Sequence, residues 1–347
     1  MTAAVAGIGA ITPVGLCARA TMAAQRAGIS AQAEHAYLFD RHGEPMRIAA
    51  VPWGDADGPV VERLVGLAVQ AALEAVAGAN DEQAIDVMLA LPEPRPGLPD
   101  GYAVEVGTRF AEAFRAGTAV GKVKVLARGH AGGLALMGQA VDLMRERARP
   151  VLVGGVDSWL VPETLEWLDE LEALHSDAMP WGFCPGEAAA FCLLSGTVPP
   201  ASRLVLLGAG HAVERQRIRT RSVCLGEGLS AAWRAALGAV TGANRRIDQV
   251  WCDLNSEPYR GDEIALTVAR TREHLAESVE IVTPADSWGD VGAATGPLLL
   301  AAAEMAAAKN YAAGPMSLLS ASSDGGPRAA LIVCDRLRIR EGAPPWP

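Results

Sequence analysis

The stretch His130-Ala131-Gly132-Gly133-Leu134-Ala135-Leu136-Met137-Gly138-Gln139-Ala140, running on to Val153-Gly154-Gly155-Val156-Asp157-Ser158, decides how the rest of the chain is read. Behind His130 an Ala/Leu-rich helical pattern covers residues 131–149, and a short apolar run of strand type follows at 150–156. The same alternation extends outward in both directions. Apolar runs at 3–8, 85–91, 123–126, 189–195, 203–208, 249–254 and 329–335 predict further strands. Helical patterns lie between them at 61–76, 100–115, 229–241, 263–275 and 292–310. Such alternation predicts an α/β fold whose central strands are buried on both faces. The run Gly196-Thr197-Val198-Pro199-Pro200-Ala201-Ser202 interrupts the pattern near the middle, so the chain reads as two similar halves, 1–197 and 198–347. Trp53 to Pro59 reads as a surface loop.

Composition narrows the function classes. Forty acidic residues against thirty Lys and Arg give a net charge of −10. Without an extended basic surface, neither nucleic acid nor anionic membrane is an expected partner, since phosphate binding depends on Lys and Arg displacing counterions. Half of the 347 residues are hydrophobic, ample for a buried core. The six cysteines, at 17, 184, 192, 224, 252 and 334, show no CxxC spacing, so neither a zinc site nor a disulfide framework is expected. No basic segment precedes Arg19, and the longest Ala/Leu stretch, 296–308, carries Glu304 and falls short of the ~20 apolar residues that span a bilayer. A cytoplasmic protein is the expectation. Gly7-Ile8-Gly9 and Gly208-Ala209-Gly210 follow strands but neither continues as G-x-G-x-x-G, so no nicotinamide cofactor is expected, nor any other.

Three segments together resemble the thiolase superfamily, and within it the β-ketoacyl synthases. Ala6-Gly7-Ile8-Gly9-Ala10-Ile11-Thr12-Pro13-Val14-Gly15 is similar to the family's first strand and turn, G-x-G-x-(V/I)-(T/S)-P-x-G. The 130–158 stretch is similar to the nucleophile segment, where a catalytic Cys heads a helix as C-x-x-G-x-x-x-x-G-x-A. Phe183-Cys184-Pro185-Gly186-Glu187-Ala188-Ala189 resembles F-x-x-G-E-G-A. The resemblance runs the length of the chain. It implies the thiolase fold, two similar α/β halves stacked as five layers, αβαβα, and a homodimer in which the strand near 150–155 pairs across the two-fold axis.

The family's functional residues are not matched. His130 stands at the nucleophile position. The run Asp253-Leu254-Asn255-Ser256-Glu257-Pro258 falls where the first catalytic histidine is expected, putting Asp253, or Leu254 after a one-residue slip, in its place. Gly289 or Asp290, ahead of Gly292-Ala293-Ala294-Thr295-Gly296, takes the place of the second. Asp324, in Ser323-Asp324-Gly325-Gly326-Pro327-Arg328, replaces the phenylalanine gate beside the oxyanion hole. A carboxylate there opposes the negative charge that such a hole stabilises.

Each candidate also has a plainer reading. An imidazolium at the start of a helix opposes the helix dipole. His130 therefore serves either as a neutral base oriented by Asp253 or Asp290, or as an inert polar plug. Cys184 and Cys252 are displaced nucleophiles or small buried hydrophobes. The polar run 253–262, with Asn255, Ser256, Glu257, Tyr259 and Arg260, is a binding loop at a strand end or a solvated turn capped by Asp262 or Glu263. Glu214-Arg215-Gln216-Arg217-Ile218-Arg219-Thr220-Arg221 either docks an acidic carrier or lies in solvent. Trp159, Trp167 and Trp181 fit a core or an interface better than a ligand site.

Two functions of different class follow. The resemblance implies a non-catalytic ketosynthase-like scaffold or adaptor that binds a protein partner, such as an acyl carrier protein or a toxin loaded by a bacterial type VI secretion cluster. The alternative is an acyl-thioester enzyme, an acyltransferase or hydrolase, using His130 with Asp253 or Asp290.

Overall fold

The computed structural model describes residues 3–52, 58–79, 84–147, 149–200, 202–220, 222–240 and 245–340. Most of the loop expected at 53–59, and Arg221, lie outside the described residues. The first half runs β1 (Ala3–Ile11), α1 (Ala18–Arg26), β2 (Ala33–Phe39), β3 (Pro45–Ile48), α2 (Val60–Val76), β4 (Ile85–Leu91), α3 (Tyr102–Arg115), β5 (Val120–Ala127), α4 (His130–Arg147), β6 (Val151–Ser158), α5 (Pro162–Glu170) and β7 (Glu187–Ser195). The second runs β8 (Leu204–Val213), α6 (Glu227–Leu237), β9 (Ile247–Cys252), α7 (Pro258–Thr271), β10 (Leu275–Val282), α8 (Ala285–Trp288), α9 (Thr295–Ala308), β11 (Met316–Ser322), β12 (Pro327–Asp335) and α10 (Arg336–Arg340).

Ten strands hydrogen-bond in the order β10-β9-β11-β12-β8-β1-β7-β6-β4-β5. Read outward from the β8–β1 seam, each half repeats one plan. In the first, β4 pairs parallel with β5 and β6, and β7 lies antiparallel between β6 and β1. In the second, β9 pairs parallel with β10 and β11, and β12 lies antiparallel between β11 and β8. The seam itself is short: Ala3 faces Leu206, Ala4 faces Val205, and the two strands then part.

Helices complete the five layers that the resemblance implies. Helices α2 and α3 cover the outer face of the first half, where Leu64, Leu67, Phe110 and Phe114 pack on Leu89, Leu152 and Phe191. Helix α6, with α7 against it, covers the second half through Leu229, Trp233 and Ile264. Helices α4 and α9 lie between the halves and share one core with both. Helix α9, TGPLLLAAAEMAAA, is apolar on nearly every side, as a helix buried all round must be. Its one charge, Glu304, accepts backbone N–H bonds from Arg203 at 2.8 Å and Leu204 at 2.7 Å, fixing the start of β8. The two central helices touch at glycine: a Cβ on Gly133 would meet Pro297 Cδ at 2.4 Å, and one on Gly296 would meet the Leu134 nitrogen at 2.8 Å.

Three expectations are corrected. Strand β6 hydrogen-bonds to β4 on one side and β7 on the other, so it has no edge left for a second subunit; the free edge of that half is β5. Residues 258–262, expected in a loop, form the start of α7: Pro258 opens the helix and Glu257, not Asp262 or Glu263, precedes it. Strands β2, β3, β10 and β11 and helices α1, α5, α8 and α10 had no counterpart in the sequence reading.

Candidate functional site

Helix α4 begins at His130, whose side chain is buried and places Nε2 2.7 Å from Asp290 Oδ1. Asp290 reaches it because Gly289, at φ +75°, turns the chain after α8. An added Cβ there would lie 2.9 Å from the Cys184 carbonyl oxygen. The Asp290 carboxylate also accepts bonds from Trp159 Nε1 (3.1 Å), the Gly292 N–H (2.9 Å) and Asn255 Nδ2 (2.7 Å). Burial opposes its ionisation, yet His130, then the Arg260 charge and the Gly292 N–H, hold its pKa well below the usual carboxylate range. Burial likewise opposes the His130 imidazolium, and the Asp290 charge outweighs it, so the histidine titrates above its ordinary value. Of the two partners considered for His130, the structure brings Asp290 to it. Asp253 instead accepts from Arg260 Nη1 at 2.8 Å and from the Ser322 N–H at 2.6 Å.

Around this pair the polar residues of 253–260 turn inward. Arg260 is 2% exposed and joins Asp253, Glu257 (3.3 Å), Asp324 (3.0 Å) and the Ser322 carbonyl (2.6 Å). Arg219 pairs with Asp324 and with Glu257 at 2.9 Å. Asn255 donates to both Asp290 and Glu257, linking the two groups. Burial opposes the Asp324 charge, but Arg219 and Arg260 pull its pKa below the usual range. Tyr259 donates to the Gln216 carbonyl and accepts from Arg328 at 3.1 Å. Ser256 alone among the five expected binding residues is exposed. Arg219 and Ser256 both hold left-handed backbone, φ 56° and 85°, uncommon for residues with a side chain.

The start of α4 is capped from the other half of the molecule. The Ala131 N–H donates to Ser323 Oγ at 2.9 Å, and that hydroxyl donates to the Arg128 carbonyl at 2.5 Å. The space against His130, walled by Cys252, Trp288, Val291 and Leu299, measures about 10 Å³, at the lower limit for one water. A larger polar cleft of about 260 Å³ lies outside it, reached by Asn255, Ser256, Asp290, Gln32 and His175.

The other candidates divide between the network and the surface. Cys184 and Cys252 are buried, and burial pushes each thiol up to about 12. The arginine run divides: Arg219 is drawn into the network, while Arg215 and Arg217 are exposed. Trp159, read as core or interface, donates to Asp290 and carries the Arg95 guanidinium 3.8 Å over its ring, whereas Trp181 is exposed. The sequence reading passed over Arg95, Asp157 and Ser323. Arg95 Nη2 bonds Asp157 Oδ1 at 2.5 Å and the Ser158 carbonyl at 2.7 Å. Asp157 and Ser323 had stood within motifs already quoted, as neighbours of the matched positions. Among the described residues no His, Cys, Asp and Glu cluster is arranged for a metal ion, and no helix is long and apolar enough to cross a membrane.

No family model matches the chain, and no curated protein sequence matches it. Solved structures do. The ishigamide ketosynthase/chain length factor superposes with a TM-score of 0.79 at 16% identity, over 96% of this chain and 99% of that one. A type II polyketide ketosynthase solved with its acyl-carrier protein, AntDE:AntF, gives 0.76 at 15% identity, again over 96% and 99%. A β-ketoacyl synthase from Burkholderia phymatum STM815 gives 0.74 at 17% identity with the same coverage. At such identities the likeness concerns backbone architecture, and it extends from end to end. The chain therefore has the thiolase fold in the form found in β-ketoacyl synthases and chain length factors.

Proposed function

We propose that this protein is a non-catalytic ketosynthase-like scaffold that binds another protein. The observation that carries the reading is the closed state of the nucleophile corner. His130 is ion-paired to Asp290, the first turn of α4 already donates to Ser323, and about 10 Å³ of space remains beside the imidazole. Acyl transfer needs a nucleophile, a base able to accept a proton, and donors aimed at a developing oxyanion. The Asp290 carboxylate raises the pKa of His130, which favours the protonated form over the free base that such a step needs. Asp253, Glu257, Asp290 and Asp324 outnumber Arg219, Arg260 and the imidazolium by one charge, an environment hostile to an oxyanion. The two nearest thiols are held neutral by burial. These features favour the scaffold over an acyltransferase or hydrolase built on His130.

Protein binding is supported by Tyr37 and Phe39, which project from one face of β2 with 84% and 55% exposure. The partner classes are an acyl carrier protein, as in the AntDE:AntF complex, or a toxin delivered by a type VI secretion cluster; the second rests on family resemblance alone. A homodimer, also implied by resemblance, pairs through the free edge of β5. The test is a pull-down of the tagged chain from its native cells, with mass spectrometry of bound proteins and of the chain's own mass. A stoichiometric protein partner, no acyl adduct, and undiminished capture by His130→Ala are expected. An acyl adduct on the chain overturns the reading.

A further inference from the structure

The largest cavity among those described lies away from the nucleophile corner, between α1 and the far end of α9, with a volume of about 640 Å³. It is within the usual range for small-molecule sites. Lys309 follows Thr295, at the start of α9, by fourteen residues, which at ~1.5 Å per helical residue separates the cleft from the His130 end by about 20 Å.

Its lining has two parts. Arg19, Arg26 and Lys309 form an exposed rim, and none of them makes an ion pair among the described residues. The cations of the candidate site, Arg219 and Arg260, are by contrast paired with carboxylates. Ala23, Ala27 and the half-buried Met305 supply an apolar wall, with the buried Met22 behind it. Tyr311 joins the two: the Arg26 guanidinium stands 4.4 Å over its ring, which fixes that cation at the mouth. The Tyr311 hydroxyl is buried without a hydrogen-bond partner, the only hydroxyl in that condition among the described residues.

We infer that this cleft binds a small amphiphilic organic anion, a carboxylate or phosphate monoester on an aliphatic body. The head group sits among Arg19, Arg26 and Lys309, and the chain lies over Met305, Ala23 and Ala27. Three cations without an ion-pair partner select the charge, and the apolar wall selects an apolar tail over a bare ion. The site is independent of the protein-binding reading, since it shares no residue with the nucleophile corner or with β2.

Isothermal titration of the full chain with decanoate and with decyl phosphate, each below its micelle concentration, tests the assignment. Saturable one-to-one binding of at least one is expected, and comparison of the two tells which head group is preferred. Acetate, inorganic phosphate and decyltrimethylammonium should bind at least ~10-fold more weakly. The Arg19→Glu/Lys309→Glu double variant, both sites exposed, should keep its circular dichroism and lose at least ~10-fold in affinity. Absence of saturation, equal binding of the cationic amphiphile, equal binding by the charge-reversed variant, or binding of hexaglutamate without decanoate would each overturn it.

Discussion

The two central helices occupy equivalent places in the duplicated plan, and their beginnings differ. The turn leading into α9 is capped from the first half: the Ala293 N–H donates to Asp157 Oδ2 at 2.9 Å, at the end of β6. The start of α4 is capped from the second half, by the Ser323 hydroxyl just beyond β11. Strands β6 and β11 correspond in the two halves of the ten-stranded sheet, so each half closes the helix of the other. The α9 end follows helix electrostatics, with a carboxylate facing free N–H groups. The α4 end violates them, placing an imidazolium at the positive pole and offsetting it with Asp290. The reciprocal capping belongs to the scaffold; the misplaced cation is particular to the corner where the resemblance puts a nucleophile.

The contrast can be broken from either side. Asp290→Ala should do the most damage, because it strands a buried imidazolium and removes the acceptor for Trp159, Asn255 and Gly292. A loss of about 3–5 kcal/mol in denaturant unfolding is expected, and a loss below about 1 kcal/mol would mean the pair contributes little. Asp157→Ala should follow at about 3 kcal/mol, since it frees both Arg95 and the α9 turn. Next comes the pH profile. A histidine whose folded pKa is raised contributes stability that is complete below its unfolded value and lost as pH rises through the folded one. Glu304, pushed up to about 7 by burial, adds a decline of the same sign that is only half complete at pH 7. The part of the decline above His130's ordinary value that disappears on replacing it, at most ~1.4 kcal/mol per pH unit, is assigned to His130. His130→Gln should flatten it, and an unchanged slope would move the titration elsewhere. Ser323→Ala should cost least, about 1 kcal/mol, the usual worth of a hydroxyl cap. If it equalled Asp157→Ala, the two ends would not differ as described.

The long buried elements were legible because their apolar runs are uninterrupted; β4 was placed at 85–91, and all its residues are buried. Strand β11 was not, because MSLLSAS carries three serines and resembles a turn. Those serines are internal: Ser320 accepts from Trp233 Nε1 at 2.8 Å and Ser322 donates to Glu263 at 2.6 Å. Strand β10 was hidden by Glu277 and Glu280 on an exposed edge. At the site, His130 and Asp290 were named from the family resemblance, although Asp253 stood as an equal alternative. What chose between them was Gly289, whose backbone turn cannot be read from residue order. Arg260 was read in a binding loop or a solvated turn and Arg219 in a run that docks a carrier or lies in solvent, because composition cannot tell a solvated arginine from one facing buried carboxylates.

The β1–β8 seam joins the halves by two facing residue pairs, so little of their union is backbone hydrogen bonding. The union rests on the inner layer, where α4 and α9 pack on both halves of the sheet and exchange caps. A chain severed within 196–203 would yield fragments that each expose one oily face and one half-finished helix start. Neither should persist alone, yet mixed they hold complementary surfaces and could rebuild the molecule. That property would suit the protein to serve as a split reporter of its own assembly.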